Sequence, residues 1–472
     1  MPPKWGELNP QTLARVIEGR LAGESGEVLI QGISTDSRSI RAGQIFWALS
    51  GERFDGHDFV LEALSKGACG AVVENAFMAA GPPPKGAFII GVKDTLWALG
   101  QLAQWWRKEF SRLKLAAITG SSGKTTTKEL TASVLGLRHH TLKTQGNFNN
   151  LIGLPLTMLD LEDRHSRAVV EIGMNRPGEI ARLTEISNPD VGAITNVGKV
   201  HLEGVGDLEG VARAKLEIAH AMRQEVPLIL NGDDTFLMER AAPIRRTKFS
   251  FGLGKGNWVR AEAIEDHGLK GICFKLCVDQ RRADVRLKVP GIHNVYNALA
   301  ASALCLILGE ELRTISEGLS RFQGLKGRFQ VANLRGGVTV VDDTYNSNPL
   351  SLKRALDNVK KLGFKAEKTI VVLGDMLELG NYTHQAHIEA GNWVGQMRPK
   401  LSIFIGEFAT HMKDGALEEG LGEERIMVLP GHHEILNTLM EQMEEGDLIF
   451  LKASRGVGLD QVVAMLKEKV GQ

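Results

Sequence analysis

The sequence lacks the features that mark several classes of protein. Its 472 residues include 56 lysines and arginines and 56 aspartates and glutamates, so no overall basic charge attracts nucleic acid or an anionic membrane. Four cysteines are too few for a disulfide framework. The longest apolar run, residues 295–308, is interrupted by Asn297 and Ser302 and is too short to span a bilayer. Any anion that the protein binds must therefore be held by a local site.

The composition that is present is typical of a globular protein. Apolar residues make up 43% and charged residues 24%, and the length corresponds to about three domains. The N-terminal segment MPPKWGELNP has no apolar stretch of the kind found in signal peptides. The few cysteines favour free thiols in a reducing compartment. We therefore expect a cytoplasmic monomer with no nucleic-acid partner and no membrane span.

The alternation of apolar strands with helices predicts an α/β protein of three domains, residues 1–110, 111–326 and 327–472. The central region has the pattern of a mostly parallel sheet, and residues 246–290 change to alternating patterns typical of antiparallel strands. The third region is again α/β. Glycines at 324–327 predict a hinge between the last two regions.

A glycine-rich turn lies between an apolar strand and a helix, with the sequence Ile118-Thr-Gly-Ser-Ser-Gly-Lys-Thr-Thr126. Glycines let backbone N–H groups turn toward a phosphate, and the helix N-terminus adds its positive end. Lys124 can reach the β- and γ-phosphates, and the Thr125 hydroxyl can bind Mg²⁺. Because Ile118 occupies the first glycine position of the full motif, the prediction depends on the shorter GxxGK[ST] pattern and its strand–helix context. The residues predicted to hold the nucleotide here are Gly120, Ser121, Ser122, Gly123, Lys124, Thr125 and Thr126.

Two more side chains follow strands at the same predicted sheet edge. Glu171 ends one strand, and His201 lies in the loop after the next. A carboxylate and an imidazole facing a triphosphate suit Mg²⁺, although each alone is more often a helix cap or a solvated side chain. Together with the phosphate-binding turn, they favour a metal site.

Other polar residues leave two interpretations open. Lys215 lies within a helix among small and apolar residues, where spacing alone favours a half-exposed lysine whose ammonium reaches solvent. Asn147, Asn149 and Asn150 form a cluster that either holds a ligand or shapes a turn.

Nine sequence blocks, in order along the chain, resemble the ATP-dependent Mur ligases, which build the peptide stem of peptidoglycan. These blocks are TGSSGKTTTKEL, QGNFNNLIGLP, EIGMN, NVGKVHLEGVG, ARAKLEIA, GIHNVYNALAA, GLKGRFQ, DDTYNSNP and LGDMLELG. The segment STDSRSIRAGQIFWALSGERFDGHDF at 34–59 and the last two blocks resemble the branch of the family that adds D-alanyl-D-alanine. The resembling motifs extend from residue 34 to residue 455.

The resemblance implies a UDP-sugar-binding N-terminal domain, a central ATP-binding domain of the phosphate-loop type and a C-terminal Rossmann-like ligase domain that closes over the site. It also implies the reaction. ATP phosphorylates the terminal carboxylate of UDP-MurNAc-tripeptide, and the amine of D-Ala-D-Ala attacks the acyl phosphate. The products are UDP-MurNAc-pentapeptide, ADP and phosphate. The implied cofactor is Mg²⁺.

The resemblance further assigns roles to individual residues. Asn294 would contact adenine, Asp343 would lie near the ribose or adenine, and Arg328 would reach the ATP phosphates. The resemblance implies that Lys215 is carbamylated, whereas its spacing alone favours an unmodified, half-exposed lysine. The implied catalytic residues are Lys124, Lys215, His201 and Arg328, and the implied metal site comprises Thr125, Glu171, His201 and Lys215. The implied substrate contacts are Ser34, Thr35, Asp36, Arg38, Asn147, Asn149, Asn150, Asn346, Ser454 and Arg455.

Three other functions share parts of this pattern. A Mur ligase that adds a single amino acid would use the same chemistry. Folylpolyglutamate synthetase shares the phosphate loop, but an N-terminal nucleotide-sugar domain is not expected there. A nucleotide-regulated binding protein without ligase turnover would need no apparatus for a second metal ion.

Overall fold

The computed structural model describes residues 8–23, 28–51, 54–79, 85–198 and 202–471. His201 lies outside these residues. Within them the strands form three sheets in which most neighbouring strands are parallel. The predicted α/β fold class is confirmed. In the same ranges, no helix is long and apolar enough to cross a membrane.

The first sheet lies within residues 20–92. Its strands are β1 (Arg20–Gly23), β2 (Gly32–Ser34), β3 (Gln44–Trp47), β4 (Gly70–Glu74) and β5 (Phe88–Val92). The helices of this part are α1 (Pro10–Val16), α2 (Val60–Ser65), α3 (Asn75–Met78) and α4 (Thr95–Glu109). The strand order is β1–β5–β4–β3–β2, with β1 antiparallel to β5 and the other pairs parallel.

The central sheet carries the phosphate-binding turn. Its strands are β6 (Lys114–Thr119), β7 (Thr141–Lys143), β8 (Arg167–Glu171), β9 (Val191–Ile194), β10 (Leu228–Asn231), β11 (Lys248–Gly252), β12 (Val259–Asp266), β13 (Ile272–Val278) and β14 (Arg281–Leu287). Its helices are α5 (Lys124–Leu135), α6 (Gly153–Leu159), α7 (Glu179–Ser187), α8 (Leu202–Val205), α9 (Leu208–Ala221), α10 (Thr235–Ala241), α11 (Ile292–Ile307) and α12 (Leu312–Arg321).

The order in this sheet is β14–β13–β12–β11–β10–β9–β6–β8–β7. Every neighbouring pair from β12 across the sheet to β7, including the pairs of β6, is parallel. The pairs β12–β13 and β13–β14 are antiparallel. The expectation of antiparallel strands throughout 246–290 is therefore wrong for β11. Its sequence KFSFG alternates as the hairpin strands do, but it pairs in parallel with β10 and β12, which a local pattern does not show.

The third sheet has the order β15–β16–β20–β17–β18–β19 once its strands are numbered along the chain. They are β15 (Gln330–Asn333), β16 (Thr339–Asp343), β17 (Thr369–Gly374), β18 (Leu401–Ile405), β19 (Ile426–Val428) and β20 (Leu448–Lys452). The helices here are α13 (Pro349–Lys361), α14 (Thr383–Met397), α15 (Ala409–Glu418), α16 (His432–Gln442) and α17 (Asp460–Val470). β15 is antiparallel to β16, and the other pairs are parallel.

Strand β6 is buried on both faces, as expected for a strand inside a parallel sheet. Leu115 and Ala117 pack into one core, and Ala116 and Ile118 pack into the core on the opposite face. The first of these cores also contains residues of the first sheet, such as Trp47. Helix α4 joins them, so the first and central sheets share one continuous apolar core.

Arg107, near the end of α4, fixes this connection with hydrogen bonds to backbone carbonyls. Its guanidinium is 4% exposed and donates to Ser187 O at 3.1 Å, Phe110 O at 2.9 Å and Leu113 O at 3.3 Å. Burial lowers the pKa of Arg107. Ser187 and Leu113 are buried residues whose carbonyls depend on this donor, whereas Phe110 O also accepts from Leu113 N–H at 3.1 Å.

We expect Arg107→Ala to lower the free energy of unfolding by about 3 kcal/mol, because it removes the donor from the carbonyls of the buried residues Ser187 and Leu113. Lys108→Ala, on the exposed side of the same helix, should change it by less than about 0.5 kcal/mol. Urea unfolding followed by tryptophan fluorescence measures both. Equal effects of the two substitutions would contradict a specific role of Arg107.

Candidate active site

A cleft of about 470 Å³ lies where the carboxyl ends of the central and third sheets face each other. Ligands of open α/β sheets bind at this end of the strands. Most of the residues predicted from sequence line the cleft: Ser121, Ser122, Gly123, Lys124, Thr125, Thr126, Asn147, Asn149, Asn150, Glu171, Asn294, Arg328, Asp343, Asn346, Ser454 and Arg455. Side chains that are distant in sequence thus meet in one place.

The phosphate-binding turn connects β6 to α5, and two of its glycines have backbone angles that other residues rarely adopt. Gly120 has φ +145°, and a Cβ there would lie 1.9 Å from Thr195 Oγ1. Gly123 has φ +81°, and a Cβ there would lie 2.3 Å from Asn297 Oδ1. The turn therefore presents its backbone without side-chain obstruction, which fits an anion cradle at a helix N-terminus.

The residues that follow β9 hold this turn in place. Ser122 N–H donates to Asn196 Oδ1 at 3.0 Å, and Thr195 Oγ1 donates to Ser122 O at 2.6 Å. Lys124 Nζ donates to Gly120 O at 2.8 Å, and burial lowers the pKa of Lys124. Sequence reasoning missed Thr195 and Asn196, although their place at a strand end beside the phosphate-binding turn was a usable signal.

Glu171, at the end of β8, connects three parts of the site. The carboxylate is 3% exposed and accepts hydrogen bonds from Thr125 Oγ1 at 2.8 Å and from Asn149 Nδ2 at 2.8 Å. Arg328 Nη2 donates to the same Thr125 oxygen at 2.9 Å. Of the Asn cluster, Asn149 thus faces the site, whereas Asn150 Oδ1 accepts from the N–H groups of residues 152 and 153 and shapes the turn.

The oxygens of Thr125 and Glu171 are suitable donors for Mg²⁺, which prefers hard oxygen ligands and usually keeps water and substrate phosphates in its shell. Over the described ranges, no three His, Cys, Asp or Glu residues form a metal cluster. The residues present therefore fit a metal ion that is shared with a phosphate, rather than one enclosed by the protein. The predicted ligand His201 lies outside the described residues.

A buried lysine is connected through Thr144 to the end of the strand that carries Glu171. Lys128, on α5, is 1% exposed, and its Nζ donates to Thr144 O at 2.5 Å and pairs with Glu129 at 3.0 Å. Thr144 Oγ1 in turn accepts from Glu171 N–H at 3.0 Å. Sequence reasoning did not single out Lys128, since a lysine one turn after a phosphate-binding turn is usually solvated.

Lys215, on α9, is completely buried, so the half-exposed position favoured by its spacing is wrong. Among the described residues its Nζ has no hydrogen-bond partner. Burial holds the pKa of Lys215 well below its usual value, and the nearby positive charge of Lys124 acts in the same direction. A buried amine that favours its neutral form is a nucleophile, which is what carbamylation requires.

The start of α11 forms another wall of the cleft. Asn294 Nδ2 donates to Pro290 O at 2.7 Å, and Asn294 Oδ1 accepts from Asn297 Nδ2 at 3.2 Å. His293 lies next to them with its Nδ1 2.9 Å from Asn358 Nδ2, and burial lowers the pKa of His293 to about 4. This wall thus offers amides and a neutral imidazole, which can recognise an uncharged heterocycle.

The third sheet contributes charged groups from the ends of β16 and β20. Lys452 Nζ donates to Asp343 Oδ2 at 2.6 Å, and Phe329 N–H donates to Asp343 Oδ1 at 3.0 Å. Burial raises the pKa of Asp343 despite this pairing. The guanidinium of Arg328 lies 4.3 Å from the ring centre of Tyr345. The predicted site residues did not include Lys452 or Tyr345, although Tyr345 lies in the DDTYNSNP block and Lys452 begins KASR (452–455), a segment whose position at a strand end indicated ligand binding.

Four of the predicted substrate contacts lie elsewhere. Ser34 ends β2 in the first sheet, Thr35, Asp36 and Arg38 follow it, and none of the four lines the cleft. Arg38 Nη2 pairs with Asp36 Oδ2 at 2.7 Å, and hydrogen bonds from Arg38 lower the pKa of Asp36 to about 2. Ser34 Oγ donates to Asp36 O at 2.9 Å. The group is a polar turn at a strand end, separate from the phosphate-binding turn.

Comparisons with known proteins agree with this architecture. Three domain models of one family match successive parts of the chain: "Mur ligase family, catalytic domain" over 29–106, "Mur ligase middle domain" over 118–305, and "Mur ligase, glutamate ligase domain" over 327–455. A Bacillus subtilis protein, UDP-N-acetylmuramoyl-tripeptide–D-alanyl-D-alanine ligase, is 34% identical over 97% of this chain and 98% of its own length. The chain belongs to the Mur ligase family.

Solved structures place it near one branch of that family. A crystal structure of MurF from Acinetobacter baumannii is 33% identical and has a TM-score of 0.88, covering 99% of this chain and 100% of that chain. MurF ligase from Thermotoga maritima, solved in complex with ADP, is 28% identical with a TM-score of 0.81, covering 94% and 99%. The resemblance read from the sequence blocks is confirmed.

The depressed pKa of His293 predicts a pH-dependent contribution to stability. The pKa of His293 in the folded protein, about 4, lies below the usual 6.5. As the pH falls through this interval, His293 is therefore protonated in the unfolded chain but stays neutral in the folded protein. Acidification from neutral pH to about pH 4.5 should therefore cost about 2 kcal/mol through this group. His293→Gln should remove that component, and His433→Gln, at an exposed position, should retain it. Urea unfolding at both pH values measures the difference, and the same acid sensitivity in all three proteins would contradict the assignment.

Proposed function

We propose that this enzyme joins D-Ala-D-Ala to UDP-MurNAc-tripeptide at the expense of ATP, giving UDP-MurNAc-pentapeptide, ADP and phosphate for peptidoglycan synthesis. The observation that carries the proposal is the full-length similarity to a ligase of that name, 34% identity over 97% of the chain. The nucleotide-binding part is supported by the open phosphate-binding turn and by the relative solved with ADP.

The first step is transfer of the γ-phosphoryl group to the terminal carboxylate of the tripeptide. Both reactants are anions, so the site must neutralise charge and align them. Lys124 and Arg328 both line the cleft and supply this positive charge, and Arg328 donates to the Thr125 hydroxyl. Thr125 and Glu171 would hold Mg²⁺, which when bound neutralises charge on the phosphate oxygens.

The second step is attack of the D-Ala-D-Ala amine on the acyl phosphate. The amine nitrogen bonds to the carbonyl carbon, the C–O bond to phosphate breaks, and the amine loses a proton. Positive groups at the strand ends of the third sheet, Lys452 and Arg455, line the cleft and can stabilise the departing phosphate or orient the dipeptide carboxylate. Asn346 and Ser454 lie among them as neutral hydrogen-bonding groups.

We assign the remaining roles as follows. Asn294 contacts adenine, Asp343 lies toward the ribose, and the Asn cluster borders the muramoyl peptide. The polar turn formed by Ser34, Thr35, Asp36 and Arg38 lies along the uridine diphosphate. Residues 1–110, 111–326 and 327–472 act as UDP-sugar-binding, ATP-binding and ligase domains of a cytoplasmic monomer. His201 would serve as a further metal ligand.

We also propose that Lys215 is carbamylated. Its neutral amine would attack carbon dioxide and lose a proton, which converts a buried cation into an anion that supports the metal site together with Glu171. The complete burial of Lys215 and the absence of a hydrogen-bond partner for Nζ among the described residues support this. A carbamate would supply oxygens where the unmodified chain has an unsatisfied amine.

The proposed reaction predicts phosphate release from MgATP that requires both UDP-MurNAc-tripeptide and D-Ala-D-Ala, with the pentapeptide product identified by mass. Tripeptides that carry lysine or diaminopimelate should both be tested. Lys124→Ala should lower the rate by at least about a hundredfold, because phosphoryl transfer loses a charge-stabilising group. Lys108→Ala serves as the matched control on a remote exposed surface.

Each alternative gives a different result in the same assay. Release with a single amino acid in place of the dipeptide would make the enzyme another stem-adding ligase. Release with a folate substrate and glutamate would make it a folylpolyglutamate synthetase. No release with any acceptor would leave a nucleotide-binding protein without ligase activity.

Carbamylation of Lys215 predicts a carbamate signal in the carbon-13 NMR spectrum of enzyme equilibrated with labelled bicarbonate. The signal should be absent in Lys215→Met, which keeps the buried volume and cannot form a carbamate. Lys128→Met, at another buried lysine, should retain it. A wild-type spectrum without the signal would contradict the proposal, whatever the activity of the variants.

A further inference from the structure

Arg354 extends from the third sheet to the phosphate-binding turn of the central sheet. It lies on the second turn of α13, whose N-terminus is fixed by a capping box between Asn348 and Ser351. Its Nη1 donates to Ser122 Oγ at 3.3 Å, which joins groups 232 positions apart in the chain. Ser122 Oγ is itself 3.2 Å from Asn196 Oδ1. The arginine therefore reaches a turn whose position is already determined by the central sheet.

In the described part of the chain, no carboxylate pairs directly with Arg354, although the charge of Asp234 acts on it from a longer distance. Across the described residues, no carboxylate oxygen lies within the 4.0 Å that defines an ion pair with its guanidinium. Lys452, by contrast, pairs with Asp343 at 2.6 Å. The neighbouring Lys353 is directed elsewhere, with its Nζ 5.6 Å from the ring centre of Trp393. Of these two adjacent cations on α13, Arg354 is the one that faces the cleft.

The position of Arg354 distinguishes it from the cations already placed at the site. Lys124 and Arg328 lie around Thr125 and Glu171, at the end where phosphoryl transfer occurs. Arg354 lines both this cleft and an adjoining pocket of about 340 Å³ that is bordered by His293 and Tyr296. It is thus located between the phosphate-binding turn and the wall that suits a nucleobase.

We propose that Arg354 binds the nucleotide at the phosphate nearest the nucleoside, an inference that rests on the proposed use of ATP. A guanidinium offers a planar set of donors that matches two phosphate oxygens, and such charge-assisted hydrogen bonds are among the stronger polar contacts. A nucleotide held there touches the central sheet through its phosphate-binding turn and the third sheet through α13. Arg354 is in this sense a nucleotide-binding residue that also links the two sheets.

Calorimetric titration of the full chain with ADP in the presence of Mg²⁺ tests this, with adenosine measured by competition against ADP. Arg354→Gln should weaken ADP binding about tenfold, since a charge-assisted contact is replaced by a neutral amide, while adenosine affinity stays unchanged. Arg354→Lys should give an intermediate loss, because it keeps the charge without the planar set of donors. Lys353→Gln is the matched control and should bind both ligands as the wild type does.

The same titrations define the results that would overturn the proposal. Unchanged ADP affinity in Arg354→Gln would mean that the guanidinium does not touch the phosphates. An equal loss of ADP and adenosine affinity would mean that it contacts the base or merely shapes the pocket. If the wild-type enzyme binds ADP but forms no pentapeptide, the proposed function is wrong, while the role of Arg354 in nucleotide binding is unaffected. Failure of the proposed function and failure of the Arg354 proposal are therefore distinguishable.

Discussion

The buried carboxylate of Glu171 is the group on which the arrangement of the site depends. A charge that is 3% exposed is stable only when hydrogen-bond donors surround it, and here a hydroxyl of the phosphate-binding turn and an amide of the Asn cluster fill that role. Arg328 then attaches to the same hydroxyl. One buried charge thus orders groups from two neighbouring strand ends and from the segment that leads into the third sheet.

The rest of the cleft follows from where positive charge is needed. The chain as a whole carries no net charge, yet Lys124, Arg328, Arg354, Lys452 and Arg455 converge on a single cleft. Burying a cation without an anion beside it is unfavourable, and for the buried Lys452 the ion pair with Asp343 offsets part of this free energy. The remaining positive charge is available to polyanionic ligands, which is how a neutral protein can select them.

The sequence predicted those parts of the fold that depend on local pattern. The glycine-rich turn lies between β6 and α5 as predicted, because an apolar run, a glycine turn and a regular helix follow each other without ambiguity. The edge strand β1 was missed, since its two exposed and two half-exposed residues have no clear alternation. The parallel pairing of β11 could not be separated from the antiparallel hairpin beside it, because pairing is determined by strands far away in the chain.

The residues of the site likewise divide into those that a local sequence pattern indicates and those that only the fold brings into place. The phosphate-binding turn and Glu171 were identifiable because the chemistry needs those residue types at strand ends. The burial of Lys215 was not, since helical spacing shows which residues share a face but not what covers that face. Arg354 contacts Ser122, which is far away in the chain, and Lys128 donates to the buried backbone carbonyl of Thr144. No local sequence pattern indicates either contact.

The apolar core that helix α4 shares with both the first and central sheets has a consequence for the autonomy of the three parts. Trp47 of the first sheet and Leu115 of the central sheet belong to one core, whereas the third sheet is enclosed by separate cores of its own. A fragment that begins at residue 111 would lack the part of this core that residues 8–106 supply, and a fragment that ends at residue 326 would keep the core whole. The first and central sheets therefore depend on each other to bury this core, whereas the third sheet packs against cores of its own.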